Sequence, residues 1–214
     1  MKKLLIVLIT TVFAFTIVGC GSKKGEMIAL PQSDEKAESD DTDKEYLAGK
    51  HTVMITVENY GDIRVELDAD IAPITVTNFV DLVNEEFYDG LTFHRIIDGF
   101  MIQGGDPLGN GTGGSDKTIK GEFSNNGVEN SITHTRGVIS MARSGNDMNG
   151  ASSQFFIVHA DSLHLDGDYA GFGNVTSGME VVDAIVRDVE AQDDNGTVNP
   201  EDQPKITSIR IVEQ

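Results

Sequence analysis

The run Phe93-His94-Arg95-Ile96-Ile97-Asp98-Gly99-Phe100-Met101-Ile102-Gln103-Gly104-Gly105-Asp106 places one arginine and one glutamine inside two short stretches that otherwise read as buried strands. A core strand has no use for a guanidinium, because burying an unpaired charge costs several kcal/mol. The period-2 alternation of a strand resolves the conflict: His94 and Ile96 point one way and Arg95 the other, while Met101 and Gln103 share a face opposite Phe100 and Ile102. The same layout returns in Ser153-Gln154-Phe155-Phe156-Ile157-Val158, where Gln154 and Phe156 share a face. Strands that each show an amide beside an apolar side chain, near an arginine, predict a shallow apolar pocket with a few polar anchors.

Working outward, the chain continues with Gly109-Asn110-Gly111-Thr112-Gly113-Gly114, Ser140-Met141-Ala142-Arg143, Ser153 to Val158, Leu165-Asp166-Gly167 and Phe172-Gly173. In this order and at nearly this spacing, these blocks resemble the cyclophilin-type peptidyl-prolyl cis/trans isomerases. The resemblance covers roughly Thr52 to Val212. Several motifs agreeing in order carry far more weight than any single one.

The first fifty residues read differently. Met1-Lys2-Lys3 and the mostly apolar run from Leu4 to Val18 form the basic and apolar regions of a secretory signal peptide, residues 1–19. The run is shorter than the roughly 20 apolar residues of a membrane span. Ile17-Val18-Gly19-Cys20 resembles the lipobox of bacterial lipoproteins, in which the cysteine carries a diacylglyceryl group after cleavage; the plainer alternative is a small residue in an ordinary signal peptide. Cys20 is the only cysteine of the chain, so no internal disulfide framework exists. Acyl chains on Cys20 would anchor the protein at the extracytoplasmic face of the cell membrane. Residues 20–50 then read as a tether: between Ser33 and Glu45 seven carboxylates stand against Lys36 and Lys44, too polar to offset the entropy of ordering.

The formal net charge is −19, or −21 once Lys2 and Lys3 leave with the signal. That excludes nucleic acid as a partner, since its binding needs cationic surface. It equally excludes electrostatic attachment to anionic lipid.

Residues 51–214 have the length of one domain. Val53, Ile55 and Val57, the turn Asn59-Tyr60-Gly61-Asp62, then Ile63, Val65 and Leu67 predict a β-hairpin. Pro73 suits the start of a helix with the stripe Val76, Phe79, Val80 and Val83; a second stripe, Met179, Val182, Ile185, Val186 and Val189, marks another helix. Strand-like runs lie at Thr92–Ile97, Phe100–Gln103, Gly137–Met141, Gln154–Val158, Ala170–Val175 and Ile206–Val212. Many short strands with glycine-rich turns predict a closed barrel. The resemblance sharpens this to a mainly β fold, an eight-stranded antiparallel closed β-barrel capped by two α-helices.

Gly109 to Gly114 matches a dinucleotide-binding fingerprint literally, but no amphipathic helix follows it, so it reads as a flexible surface loop. The five histidines show no metal spacing, which predicts no metal and no cofactor. His94 reads as a packed, hydrogen-bonded structural histidine, and no nucleophile elbow is present.

The resemblance implies a mechanism without covalent chemistry. By analogy with the family, Arg95 donates to the imide nitrogen of the twisted X-Pro bond, Phe100 helps hold the proline, and Gln103 binds substrate backbone and orients Arg95. Met101, Phe156 and Leu165 complete the proline pocket; Gly111, Ala142, Arg143 and Gln154 line the groove for flanking residues. His164 stands where the family's eukaryotic members usually have Trp, and Tyr169 where they have His, which implies substrate contacts there but weak cyclosporin binding. The loop from Gly145 to Ser153 is longer than in the short-loop members. The implied partners are proline-containing segments of exported proteins. Two other readings are a proline-peptide-binding chaperone module with incidental catalysis, and a transporter's solute-binding lipoprotein, for which the chain is too short to form two lobes.

Overall fold

The computed structural model describes residues 45–212; the expected signal peptide, Cys20 and the acidic run as far as residue 44 lie outside the described residues. Along the chain come β1 (Lys50–Val57), β2 (Gly61–Asp68), α1 (Pro73–Asn84), β3 (Phe93–Ile97), β4 (Met101–Gly104), β5 (Val138–Arg143), β6 (Ala151–Val158), β7 (Gly171–Ser177), α2 (Met179–Asp188) and β8 (Ile206–Ile211). Both helices and all eight strands fall where the periodicity predicts them. Residues just before 51 take part in the fold as well. Lys50 already belongs to β1, the Leu47 N–H donates to Thr77 Oγ1 at 2.8 Å, and the Gly49 N–H donates to Asp70 Oδ1 at 2.7 Å.

The strands form one antiparallel sheet in the order β3-β4-β6-β5-β7-β2-β1-β8. The expected closure does not occur: the sheet is an open half-barrel. Its outermost strands, β3 and β8, share no ladder; they meet only at their first residues, through the Thr92–Lys205 bridge and the hydrogen bonds from the Phe93 N–H to the Pro204 carbonyl (2.9 Å) and from the Ile206 N–H to the Leu91 carbonyl (2.7 Å). The reason is competition for the free edge of β3. Residues 195–198 occupy it, with the Ile96 N–H donating to the Gly196 carbonyl at 2.8 Å and the Val198 N–H to the His94 carbonyl at 3.1 Å.

The two faces of the sheet have different fates. On β4, β5 and β6, Ile102, Ile139, Met141, Phe155 and Ile157 turn into the main core, where they meet Val76, Phe79, Val80 and Val83 of α1. Phe79 packs edge-on against Phe155, with ring centroids 5.5 Å apart, and also meets Phe172 at 5.3 Å. The alternate residues of the same strands, Met101, Val138, Phe156 and Val158, form a second, smaller cluster with Leu165. Strand alternation thus builds a core on one side and an apolar floor on the other.

No neighbouring side chain caps α1, which starts at Pro73 after Ala72. Buried Glu122 does so from a distance, accepting from the N–H groups of Ile74 (3.0 Å) and Thr75 (2.7 Å) and from the Thr75 hydroxyl (2.7 Å). A carboxylate there meets both the free backbone donors and the positive end of the helix dipole. It also ties the segment after the glycine-rich loop to the helix that covers the core.

Candidate functional site

Arg95 lies directly opposite Gln103 in the β3–β4 ladder, and Gln103 lies opposite Phe156 in the β4–β6 ladder. One row across three strands therefore sets guanidinium, amide and phenyl ring side by side on the outer face. The Arg95 Nη1–H donates to Gln103 Oε1 at 3.2 Å, Gln103 Nε2–H to Gln154 Oε1 at 2.8 Å, and Gln154 Nε2–H to the Gly113 carbonyl at 2.7 Å. At the other end, Arg95 Nε–H donates to the Asn195 carbonyl at 2.7 Å. The guanidinium carbon sits 5.9 Å from the centre of the Phe100 ring. Burial pulls the Arg95 pKa down, opposed by Tyr169 and Asp193, yet a guanidinium remains a cation at any working pH.

A cavity of about 430 Å³ opens over this row. Of the residues expected in the site, Arg95, Phe100, Met101, Gln103, Gly111, Ala142, Arg143, Phe156, Leu165 and Tyr169 all line it. Gln154 lines an adjoining chamber of about 310 Å³, which shares Gln103, Gly111, Ala142 and Arg143 with the first. His164 does not line either chamber. It is exposed and packs against Phe100, ring centroids 5.5 Å apart. Phe100 itself departs from the expected alternation: it precedes β4 in a turn, its N–H donating to the Ile97 carbonyl at 3.1 Å, and so shares the cavity with Met101.

Asn110, Asn195 and Thr197, to which the sequence reading gives no role, also line the cavity, as does His94, which it reads as structural. The β3–β4 register shifts between Phe93 and Arg95, so β3 carries an extra residue there. Such a bulge breaks strict alternation, which is why His94 and Arg95 reach the same cavity. His94 is buried, but neither ring nitrogen has a hydrogen-bond partner, contrary to the structural role read from the sequence. Burial holds its pKa below the ordinary histidine value, with Asp106 opposing and the Arg95 charge reinforcing the shift. Asn195 and Thr197 lie about a hundred residues from Arg95, and only the turn-forming Asn-Gly pair hints at them.

The glycine-rich loop is held, not loose. Asp106 is buried, and its carboxylate accepts from the N–H groups of Leu108 (2.8 Å), Asn110 (3.1 Å) and Gly111 (2.6 Å). Gly111 has φ +87°, a conformation glycine adopts without strain, and this brings its backbone against the His94 ring. Burial would raise the Asp106 pKa, but the converging N–H donors outweigh it and hold the carboxyl below its usual range.

His134, fully buried, bonds Asp166 Oδ1 through Nδ1 at 2.8 Å and Ser140 Oγ through Nε2 at 2.9 Å, and it stacks on Phe156 with ring centroids 6.1 Å apart. These are the residue types of a hydrolase triad, but Ser140 is wholly buried, so no substrate carbonyl can reach it. The cluster instead braces Phe156 and fixes the turn that carries Leu165. The site can thus seat a small apolar ring and present one cation to a polar group beside it, without a nucleophile.

Comparison with known proteins agrees with this geometry. The family model for cyclophilin type peptidyl-prolyl cis-trans isomerases matches residues 52–211. Peptidyl-prolyl cis-trans isomerase B of Bacillus subtilis is 52% identical over 129 residues, which span 60% of this chain and 86% of that protein. A peptidyl-prolyl cis-trans isomerase of Helicobacter pylori is 49% identical over 137 residues, covering 63% of this chain and 80% of its own. The crystal structure of a Cryptosporidium parvum cyclophilin type isomerase superposes with a TM-score of 0.68 at 32% identity, over 78% of this chain and 99% of that one. A second structure of that protein, determined in the presence of the dipeptide Ala-Pro, gives a TM-score of 0.67 at 31% identity, over 76% and 99% of the two chains.

The loop geometry predicts a pH signature. Because the folded Asp106 carboxyl is depressed, its stabilising contribution is complete above the unfolded value of ~3.9 and is lost as pH falls through the folded value. Denaturant unfolding should therefore show wild type more stable than Asp106→Asn by a full margin at pH 6–7 (about 1–3 kcal/mol for charged hydrogen bonds of this kind). The margin should narrow only below about pH 4; one independent of pH would show that the carboxylate charge does not hold the loop.

Proposed function

The chain belongs to the cyclophilin-type peptidyl-prolyl cis-trans isomerases and is an enzyme of that type, and from that premise we propose that it works outside the cytoplasm, tethered by a lipid on Cys20, on prolyl bonds of exported proteins. Rotation about a peptide bond costs ~18–20 kcal/mol of lost resonance, and an uncatalysed X-Pro bond exchanges in roughly tens to hundreds of seconds. No bond is made or broken, so catalysis can come entirely from binding the twisted amide better than the planar one. As the amide twists, the imide nitrogen becomes pyramidal and gains a lone pair. Arg95 donates to it. Phe100, Met101, Phe156 and Leu165 hold the proline ring, and Gln103 fixes both Arg95 and the substrate backbone.

The observation that carries this reading is the state of Arg95. It is half-buried over an apolar cup and held by two neutral oxygens, with no ion pair to any described carboxylate. Its charge is aimed but not cancelled. The relative studied with Ala-Pro supports proline-containing peptides as substrates. The setting outside the cytoplasm is supported by residues 1–20, with their basic start, apolar run and single cysteine. A reaction that consumes no nucleotide and uses no metal suits a compartment without ATP.

Replacing Arg95 with Ala should lower kcat/KM by about 100- to 1000-fold, the usual effect of losing one donor to a transition state, in a variant that still folds. Unchanged turnover in the folded variant would sink the mechanism. Cys20→Ala should move the protein from the membrane fraction to the soluble one, and mass spectrometry of the mature N-terminus should find diacylglycerol on Cys20. An unmodified N-terminus beyond Cys20 would refute the anchor.

Cyclosporin binding should be weak, because His164, beside Phe100 at the edge of the cavity, offers a ligand less apolar area and a less well-aimed donor than an indole would. His164→Trp should then tighten inhibition by about 5- to 100-fold, the equivalent of one well-made buried hydrogen bond. Tight inhibition of the unmodified protein would contradict this.

A further inference from the structure

The two chambers of the site form one groove whose charge is opposite to that of the protein. The chain carries 35 carboxylates against 16 lysines and arginines. Yet no Asp or Glu lines either chamber, and the charged residues that do are Arg95 and Arg143. Arg95 is committed to the rotating amide. Arg143 is not. It lies where the chambers meet and lines both.

The side chain of Arg143 is fixed without being neutralised. Nε–H donates to the Asp168 carbonyl at 2.9 Å, and Nη1–H donates to the carbonyls of Ser144 (3.1 Å) and Gly145 (3.3 Å). The guanidinium carbon lies 4.9 Å from the centre of the Tyr169 ring and 5.2 Å from that of Phe123. All its oxygen partners are backbone carbonyls; it has no ion pair with a described carboxylate. A cation held by carbonyls and aromatic faces keeps its charge and has already lost most of its rotamer entropy. Nη2 remains as a donor for a charge-assisted bond.

We infer that Arg143 makes the groove select substrates with an acidic residue next to the isomerising proline. The inference rests on the isomerase reading and adds a substrate class to it. Asp or Glu flanking the proline meets a fixed cation, whereas Lys or Arg meets two like charges in a half-enclosed space. A purely structural Arg143 would clamp residues 144–145 to 168–169 and leave turnover indifferent to substrate charge. The charge preference separates the two roles.

Exchange NMR on Ala-Pro peptides, which needs no coupling protease, measures it. Glu, Gln or Lys is placed at each of the two positions before the proline and at the one after it. At one position or more, kcat/KM should rank Glu above Gln above Lys, with Glu favoured over Gln by about fivefold at low salt. The contrast should fade near 1 M salt, where screening extends over only about 3 Å. Arg143→Gln should bring the Glu-to-Gln ratio to about one, Arg143→Lys should keep part of it, and Arg143→Glu should reverse it in favour of Lys. Equal rates for Glu and Gln at all three positions in wild type, or a preference that survives Arg143→Gln, would overturn the inference while leaving the isomerase reading intact. Failure to isomerise any peptide, neutral ones included, would overturn both.

Discussion

A half-buried guanidinium held by neutral oxygens is the constraint around which this protein is arranged. Paired with a carboxylate, Arg95 would be cheaper to bury and of less use, because its charge would be spent inside the protein. Instead the Asn195 carbonyl and the Gln103 amide take two of its donors. The amide chain through Gln103 and Gln154 runs on to the Gly113 carbonyl. That chain links β3, β4, β6, the glycine-rich loop and the 193–197 turn, so the position of one cation depends on five separated segments. The open edge of the sheet follows from the same arrangement. Residues 195–198 pair with β3 to bring Asn195 to Arg95, and in doing so they take the edge that a closed barrel would need.

The second organising fact is the two-sided use of β4, β5 and β6. One set of alternate residues packs against α1, and the other faces out as the floor of the site. Precision at the floor therefore comes from the core behind it. Phe156 cannot shift without disturbing Phe155 and Ile157 in the main core, and His134, bound to Ser140 and Asp166, stacks on its ring. The loop that closes the groove is equally fixed, through backbone donors converging on buried Asp106. For a reaction in which the enzyme makes no bond, such preorganisation is most of the catalytic resource.

Charge is distributed to the same end. The surface is strongly acidic, while the groove is lined by cations and neutral groups. The two cations of the groove, Arg95 and Arg143, therefore stand out against an acidic chain.

The sequence by itself determined the elements and most of the site. Alternation and helical stripes placed the hairpin, both helices and the remaining strands, because burial on one face leaves a periodic mark in the residues themselves. The clustered motifs marked Arg95, Gln103, Phe156 and their neighbours as one pocket. What only the tertiary structure decided depends on contacts between distant residues or on local breaks in period. The capping of α1 by Glu122, the grip of Asn195 on Arg95 and the loss of barrel closure at β3 join segments tens of residues apart or more. The bulge at His94 and the turn at Phe100 each shift a side chain against strict alternation, bringing both into the cavity. A one-residue change of register moves a side chain to the other face of a strand, and no periodic pattern records where the backbone makes it.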